Sequence, residues 1–452
     1  MIIRRFANYA ANIADRDLPD SVLHAAKRAV IDWFSSTLRG GLEAPATMLA
    51  KAFHDNSGPA LLYPSGRAVD ATTAALINGA AAHTIEFDDI YRDGLYHPAA
   101  PVISAVIAVA QAKGLGGDAF LRSVIAGYEV SNRLAVCVNP GHYQFWHTTG
   151  TIGTFGAAAG AGVALGLDGE HIGHAMANAG TLAAGLQQAF RADAMAKPMH
   201  TANAAQTGVM LAMAAEHGVT GAMDILEGEC GFGAAMCVDP NWESAADDLE
   251  KSFTIERMTF KNHAACGHTH PAIDGVLAIK NQHGLSPDDI AAIRVATFQK
   301  ALEICGNRDP QTIFEAKFSL PYCAAIAMTA GRVRLDAFSE DLLGDAAILG
   351  LIEKLELTEA EDLSAEFPER RAARIEIETT GGERFEHYSP TRKGDPDNPL
   401  TDDELAEKFL EITDPVLGSA GAAQLLDTLW RLGEVDDLCA LPISPAKVAA
   451  AQ

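Results

Sequence analysis

A mainly helical protein with a second, α+β domain is the fold class that the sequence predicts. Three observations carry it. Alanine and glycine are frequent while aromatic residues make up only 7% of the chain. Long runs with apolar residues at helical spacing dominate the first half, and β-branched or alternating stretches begin only near residue 255. Small side chains suit closely packed helices, whereas strands favour bulky aromatic and β-branched residues.

The first clear element runs from Leu18 to Gly41. Asp20 or Ser21 can cap it, and Val22, Leu23, Ala26, Ala29, Val30, Trp33, Phe34 and Leu38 recur at helical spacing before Gly40-Gly41 stops it. Further helices are predicted at Asp70–His83, Pro101–Lys113, Asp118–Cys137, Thr149–Leu165, Glu170–Leu186, Ala202–Glu216 and Ala222–Glu227. Beyond them, Thr254–Lys261, Ala291–Gln299, Arg332–Leu335 and Arg371–Thr379 read as strands, and Gly381-Gly382 as a hairpin turn. Helical runs at Pro271–Gln282, Pro321–Ala330 and Ala346–Leu357 lie between them. After a Pro/Gly/Asp-rich segment at Lys393–Leu400, Thr401 and Glu404 form a capping box that opens another helix. The predicted plan is a helical domain over 1–255, an α+β domain over 256–398, and C-terminal helices over 399–452 that rejoin the helical domain.

With 452 residues, 48% of them hydrophobic and 21% charged, the chain can bury a sizeable core. Its net charge of −25 repels phosphate backbones and anionic lipid, which argues against nucleic-acid and membrane-surface roles. An anionic substrate would therefore need a local basic pocket inside an acidic protein. The seven cysteines are odd in number and irregularly spaced, which argues against a disulfide framework. The N-terminal stretch lacks a continuous apolar segment of the signal-peptide kind, and the most apolar runs are shorter than the roughly 20 residues of a membrane span. A cytoplasmic protein is expected. Gly150–Gly162 (GTIGTFGAAAGAG) has a glycine rhythm, but no strand precedes it and no acidic residue follows where a dinucleotide fold needs one. Close helix–helix packing is the better explanation.

Four clusters can carry chemistry. The first is His83-Thr-Ile-Glu86-Phe-Asp88-Asp89 with His97-Pro98; its carboxylates cannot all face one side of a helix, so at least one belongs to a helix end or loop. The second is His147, just ahead of the small-residue helix, where backbone N–H groups can receive an anion. The third is Lys197-Pro-Met-His200, a cation and an imidazole flanking a helix start. The fourth runs from Lys261 through His263, Cys266 and His268 to His270. A zinc site is a competitor there, but no matching CxxC or HxxxH segment supplies partners, and a basic hydrogen-bonding rim is equally open.

In this order the clusters resemble the MmgE/PrpD (2-methylcitrate dehydratase-like) family. The resemblance also rests on Ala316-Lys317-Phe318-Ser319-Leu-Pro321-Tyr322 and Gly394-Asp-Pro-x-Asn-Pro-Leu400-Thr, and it spans nearly the whole chain. It implies a large helical domain and a smaller α+β lid domain with the active site between them, a homodimer, and a small polycarboxylate substrate. It also implies dehydratase, cis-aconitate decarboxylase or iminodisuccinate epimerase activity with no iron–sulfur cluster and no organic cofactor, and no metal site is expected. By resemblance, His97, His147, Lys197 and Lys261 are the expected catalytic residues, and Glu86, Asp88, Asp89, His200, Cys266 and His270 the expected substrate-binding ones. Decarboxylating members tend to carry Asp where Glu86 stands and His where Cys266 stands, which argues against decarboxylation. The expected function is a hydro-lyase acting next to a carboxylate. Epimerisation or isomerisation of a related dicarboxylate, decarboxylation as the less favoured one, and a non-catalytic carboxylate-binding role are the alternatives.

Overall fold

The computed structural model describes residues 1–191, 194–249 and 251–444. Two compact units are present, one of Met1–Met258 with the segment from Thr401 onward, the other of Thr259–Leu400. Residues 445–452 of the segment expected over 399–452 lie outside the described residues.

The first unit is helical. Its centre is the Thr148–Ala164 helix, buried at every position and packed by the Ala99–Lys113, Gly117–Val138 and Ala196–Glu216 helices. Its glycines serve close approach. A methyl group on Gly150 would sit 2.6 Å from the Ala184 carbonyl oxygen and 2.9 Å from His200 Cβ. No strand leads into this helix; His147 caps it in an extended conformation. Around this core lie the amphipathic Ile2–Ile13 helix, which the sequence analysis did not single out, and the Asp20–Gly40 helix. The latter begins after Pro19 with no side-chain cap, so neither Asp20 nor Ser21 plays the expected capping role. Asp402–Leu417 and Ser419–Trp430 complete the unit, the first opening on the expected Thr401–Glu404 capping box.

The second unit holds a four-stranded sheet, ordered Leu355–Glu359, Ile290–Thr297, Ala373–Thr379, Arg384–Ser389. The first pair is parallel, with Ile293 opposite Leu355; the others are antiparallel, with Ile293 opposite Ile377 and Ile375 opposite His387. Ile293, Val295, Ile375 and Ile377 face the core, where the His270–His283 helix packs. Arg294 on the opposite face pairs with Glu356, Glu376 and Glu378. Period-two burial thus explains why these strands are alternating rather than uniformly apolar.

Four expected elements differ. Ala222–Glu227 is a series of turns, in which Phe232 N–H donates to the Ile225 carbonyl and Gly233 N–H to that of Leu226. Glycines 221, 228 and 231 punctuate this stretch and its surroundings, and that outweighs its helical composition. Thr254–Lys261 opens with a 3-10 turn at Thr254–Arg257, and Arg332–Leu335 is irregular; neither is a strand, because their backbone groups serve loop contacts such as Ala264 N–H to the Val333 carbonyl. The run Ala346–Leu357 divides into a helix ending at Glu353 and the strand starting at Leu355. Leu355 and Leu357 continue the apolar run of the helix, and periodicity over so few residues cannot separate a short strand from a helix end.

Candidate active site

The acidic cluster forms where the Ala71–Thr84 helix stops. Glu86 takes a left-handed conformation, φ 60°, which ends the helix and turns the chain. Tyr91 and Tyr96 then pair as an antiparallel bridge, bringing His97 back toward its own loop. His83, in the last helical turn, places Nδ1 2.7 Å from Asp88 Oδ2, and His97 places Nδ1 3.3 Å from the same oxygen. Burial works against the charge on Asp88, yet the two imidazoles outweigh it and hold the carboxyl well below the usual range. Asp89 behaves differently. Its Oδ1 accepts the Ala99 N–H and its Oδ2 the Tyr128 hydroxyl, so it fastens the start of the Ala99–Lys113 helix. Burial, with Asp32 and Asp88 nearby, pushes Asp89 well above the usual carboxylate range.

The basic side comes from two helix starts. His147 donates its backbone N–H to the Gly185 carbonyl, and its ring Nδ1 lies 3.1 Å from His200 Nδ1. Such a contact requires one ring to donate and the other to accept, so their tautomers are complementary. Burial, then the charges of His83, Lys197, His200 and His97, push His147 well below the usual imidazole range. His200 is pushed down to about 4 by burial, His83 and Lys197. Both rings are therefore neutral near neutral pH.

Lys197 sits in the first turn of Ala196–Glu216 and His200 at the start of the second, in a helix expected to begin only at Ala202. Pro198 does not exclude them, because the first turn of a helix has no intrahelical acceptors for its N–H groups. Lys197 is 5% exposed and forms an ion pair with Glu86. Its ammonium also lies 5.5 Å from the centre of the Phe190 ring, which meets His147 edge-on. The first unit thus brings together Glu86, Asp88, His97, His147, Lys197 and His200.

The remaining expected residues belong to the second unit. Lys261 is 1% exposed. His263 Nε2 meets Asp274 Oδ1 at 2.8 Å, His270 Nε2 meets the Ala265 carbonyl at 3.2 Å, and Cys266 N–H donates to the Lys317 carbonyl. Two of the three imidazoles named in the zinc alternative thus have a ring nitrogen committed to a protein partner. Burial, then His263, Arg392 and Lys261, push His270 well below the imidazole range. The Gly394-Asp395 motif explains how Lys261 is held. Gly394 has φ 99°, Phe260 N–H donates to its carbonyl, and a side chain there would run into the Phe260 carbonyl. Arg392 pairs with Asp395, which also accepts the Thr259 hydroxyl at 2.6 Å, and Arg392 reaches the Gly267 carbonyl. Burial opposes the Asp395 charge, but Arg392 outweighs it and holds the carboxyl well below its usual range.

Among the described residues, His83, Asp88 and His97 bring three donor atoms within 4.8 Å of one another. A cation of the zinc type needs all three aimed at a common centre. Here His83 Nδ1 is hydrogen-bonded to Asp88 Oδ2, and His97 Nδ1 lies 3.3 Å from the same oxygen in an ion-pair contact, so the carboxylate oxygen is already committed to an imidazole rather than aimed at a common centre.

Residues 4–245 match the MmgE/PrpD N-terminal domain, and residues 263–432 match the MmgE/PrpD C-terminal domain. The chain belongs to the MmgE/PrpD family. This MmgE/PrpD protein is 25% identical to a cis-aconitate decarboxylase-like protein of Aspergillus oryzae, over 97% of either chain. It is 26% identical to the cis-aconitate decarboxylase of Homo sapiens, over 99% of its own length and 96% of that protein. A shorter match, 27% identical, covers 28% of the chain and 26% of the mitochondrial 2-methylcitrate dehydratase of Yarrowia lipolytica.

Within this family member, sequence reasoning passed over three supports of the cluster. His83 stood in the quoted motif but drew no role; its signal was its place five residues before Asp88 at a helix end. Phe190 carries no motif. Lys408, buried on the Asp402–Leu417 helix, donates to Asp32 Oδ1 at 2.6 Å and to the Phe87 carbonyl at 2.8 Å. It thereby ties down the backbone between Glu86 and Asp88. Nothing local in the sequence links position 408 to position 87.

Proposed function

We propose that this protein is a cofactor-independent lyase that removes water from a small citrate-like polycarboxylate by taking a proton from the carbon next to a carboxylate. The observation that carries this reading is the juxtaposition of a buried ammonium, Lys197, with imidazoles in two opposed environments. Loss of the α-proton moves negative charge onto the adjacent carboxylate as an enolate-like dianion. A fixed cation in a site closed to water stabilises that charge far better than solvent does. Lys197 supplies it and exchanges part of its Glu86 contact for the substrate carboxylate. His147, kept neutral, accepts the α-proton. His97, which faces the ionised Asp88, donates a proton to the departing hydroxyl, so the C–O bond breaks as water and a double bond remains. Lys261 takes a second electrostatic role by family pattern rather than by geometry.

Decarboxylation is the second reading, favoured by the names of the relatives that match over 97% and 99% of the chain. Against it stand Glu86 and Cys266, where decarboxylating members tend to carry Asp and His. A decarboxylase also needs only a proton donor after carbon dioxide leaves, while this cluster offers both an acceptor and a donor. An epimerase would return the proton to the opposite face without forming a double bond. The purified protein should be incubated with 2-methylcitrate, citrate, cis-aconitate and iminodisuccinate, and the products identified by NMR. An unsaturated acid from a hydroxy acid is expected. Carbon dioxide from cis-aconitate, or an inverted centre with solvent hydrogen, would replace this assignment. Binding without turnover would point to a carboxylate-binding protein.

A further inference from the structure

We propose that Asp88 is a positioning residue that acts through two histidines at once, fixing both His83 and His97 in the Nδ1–H form and leaving Nε2 of His97 as the working nitrogen. The claim rests on the lyase assignment for His97, adds His83 to the machinery of that site and gives Asp88 a positioning role in place of the expected substrate-binding one.

The geometry is specific. One fully buried oxygen, Asp88 Oδ2, is hydrogen-bonded to His83 Nδ1 at 2.7 Å and stands 3.3 Å from His97 Nδ1 in an ion-pair contact, and the two rings meet edge to face at 4.9 Å. His83 makes the shorter contact and is wholly buried, so it anchors the carboxylate, while His97 is partly exposed. His83 Nε2 and Asp88 Oδ1 are buried with no hydrogen-bond partner. Neither atom is therefore pulled by another group, and the orientation of both side chains is set by their mutual contact. A carboxylate that receives an imidazole Nδ1–H fixes the tautomer and ring plane and favours protonation of the far nitrogen.

The surrounding charges leave Asp88 as the counter-ion for these two rings. Lys197, from the Ala196–Glu216 helix, is matched by Glu86. Lys408, from the Asp402–Leu417 helix, is matched by Asp32 from the Asp20–Gly40 helix. His147 and His200 are held neutral, and burial pushes the Asp89 carboxyl well above the usual carboxylate range. An ionised Asp88 beside the His97 ring thus favours a proton on the far nitrogen of His97. That proton is the one a dehydratase must deliver to its leaving hydroxyl.

The test compares the full-length protein with Asp88→Asn and His83→Gln. Nitrogen-15 NMR of the unliganded protein is expected to show Nδ1–H protons on both rings in the parent, and their loss or collapse in Asp88→Asn. This measurement does not depend on any substrate. With a substrate in hand, Asp88→Asn is expected to lower kcat about 100-fold or more with KM changed less than about threefold. The alkaline limb of its kcat profile is expected to move to lower pH, and His83→Gln to move it in the same direction by less. Three results would overturn the proposal: Nε2–H tautomers on both rings of the parent, an unmoved pH profile in a folded Asp88→Asn variant, or stoichiometric transition metal lost on that substitution. If no acid is turned over but the Nδ1–H protons are present and depend on Asp88, the lyase assignment fails while the positioning geometry stands.

Discussion

Lys197 and Glu86 form a buried ion pair in which each charge depends on the other. Removing one partner of such a pair leaves an uncompensated charge and costs about 3–5 kcal/mol, whereas replacing both by neutral groups of similar size is often nearly neutral. Lys197→Ala is therefore expected to destabilise the protein by about that amount in denaturant melts and to abolish turnover. A Glu86→Gln/Lys197→Met double variant is expected to recover most of the stability but none of the activity, separating the structural from the catalytic role. His147→Gln removes the proposed base while keeping a polar group of similar reach. A fall in kcat of about 100- to 10,000-fold, with little change in melting temperature, is expected from steady-state kinetics and calorimetry. At this scale the sequence was a good guide to residue types and a poor one to partners. Lys197, His147 and His97 stood out because cations and imidazoles near helix starts are chemically conspicuous. The commitment of both Asp89 oxygens to Ala99 and Tyr128 could not be seen, since Tyr128 lies 39 residues away on another helix.

At the scale of elements, helix ends set the geometry of the site. Gly150 lets the start of the Thr148–Ala164 helix approach His200, so Gly150→Ala is expected to push these helices apart. A stability loss of about 1–3 kcal/mol is anticipated from overpacking, with a rise in KM because His147 and His200 lose their contact. Denaturant melts and steady-state kinetics on the same variant check both parts. The long helices were legible because their apolar spacing and caps agree, as at Thr401–Glu404. Misassignment fell on short segments. Ala222–Glu227 has helical composition but glycine punctuation, and Thr254–Lys261 is β-branched without a partner strand. The Leu355–Glu359 strand was absorbed into the preceding helix because Leu355 and Leu357 extend its apolar run and a single lysine separates the two.

Across the whole molecule, buried titratable groups tie stability to pH. Burial holds His142 at about 4, with the Met236 carbonyl only partly offsetting it, and His147, His200 and His270 are likewise shifted down. A histidine whose folded pKa is depressed binds fewer protons folded than unfolded. Its contribution is thus complete above about pH 6.5 and is lost as pH falls toward 4. Asp89 and Glu129, shifted upward by burial, act in the opposite sense, their contribution lost as pH rises through their folded values. The melting temperature of His142→Gln is expected to depend less steeply on pH between 6.5 and 4 than that of the parent. An equal slope would show that His142 is not held neutral.

Against an acidic net charge of −25, the buried Lys197 and its neighbouring histidines are a local exception, and the proposed function rests on it. Among the described residues, no helix is long and apolar enough to cross a membrane. The most direct test of the proposed chemistry is NMR of a citrate-type hydroxy acid incubated with the protein in deuterated water, alongside His147→Gln. The parent is expected to form the unsaturated acid and to place deuterium next to the carboxylate in recovered substrate, with both processes lost in His147→Gln. Release of carbon dioxide from cis-aconitate, with no water lost from any hydroxy acid tested, would contradict it.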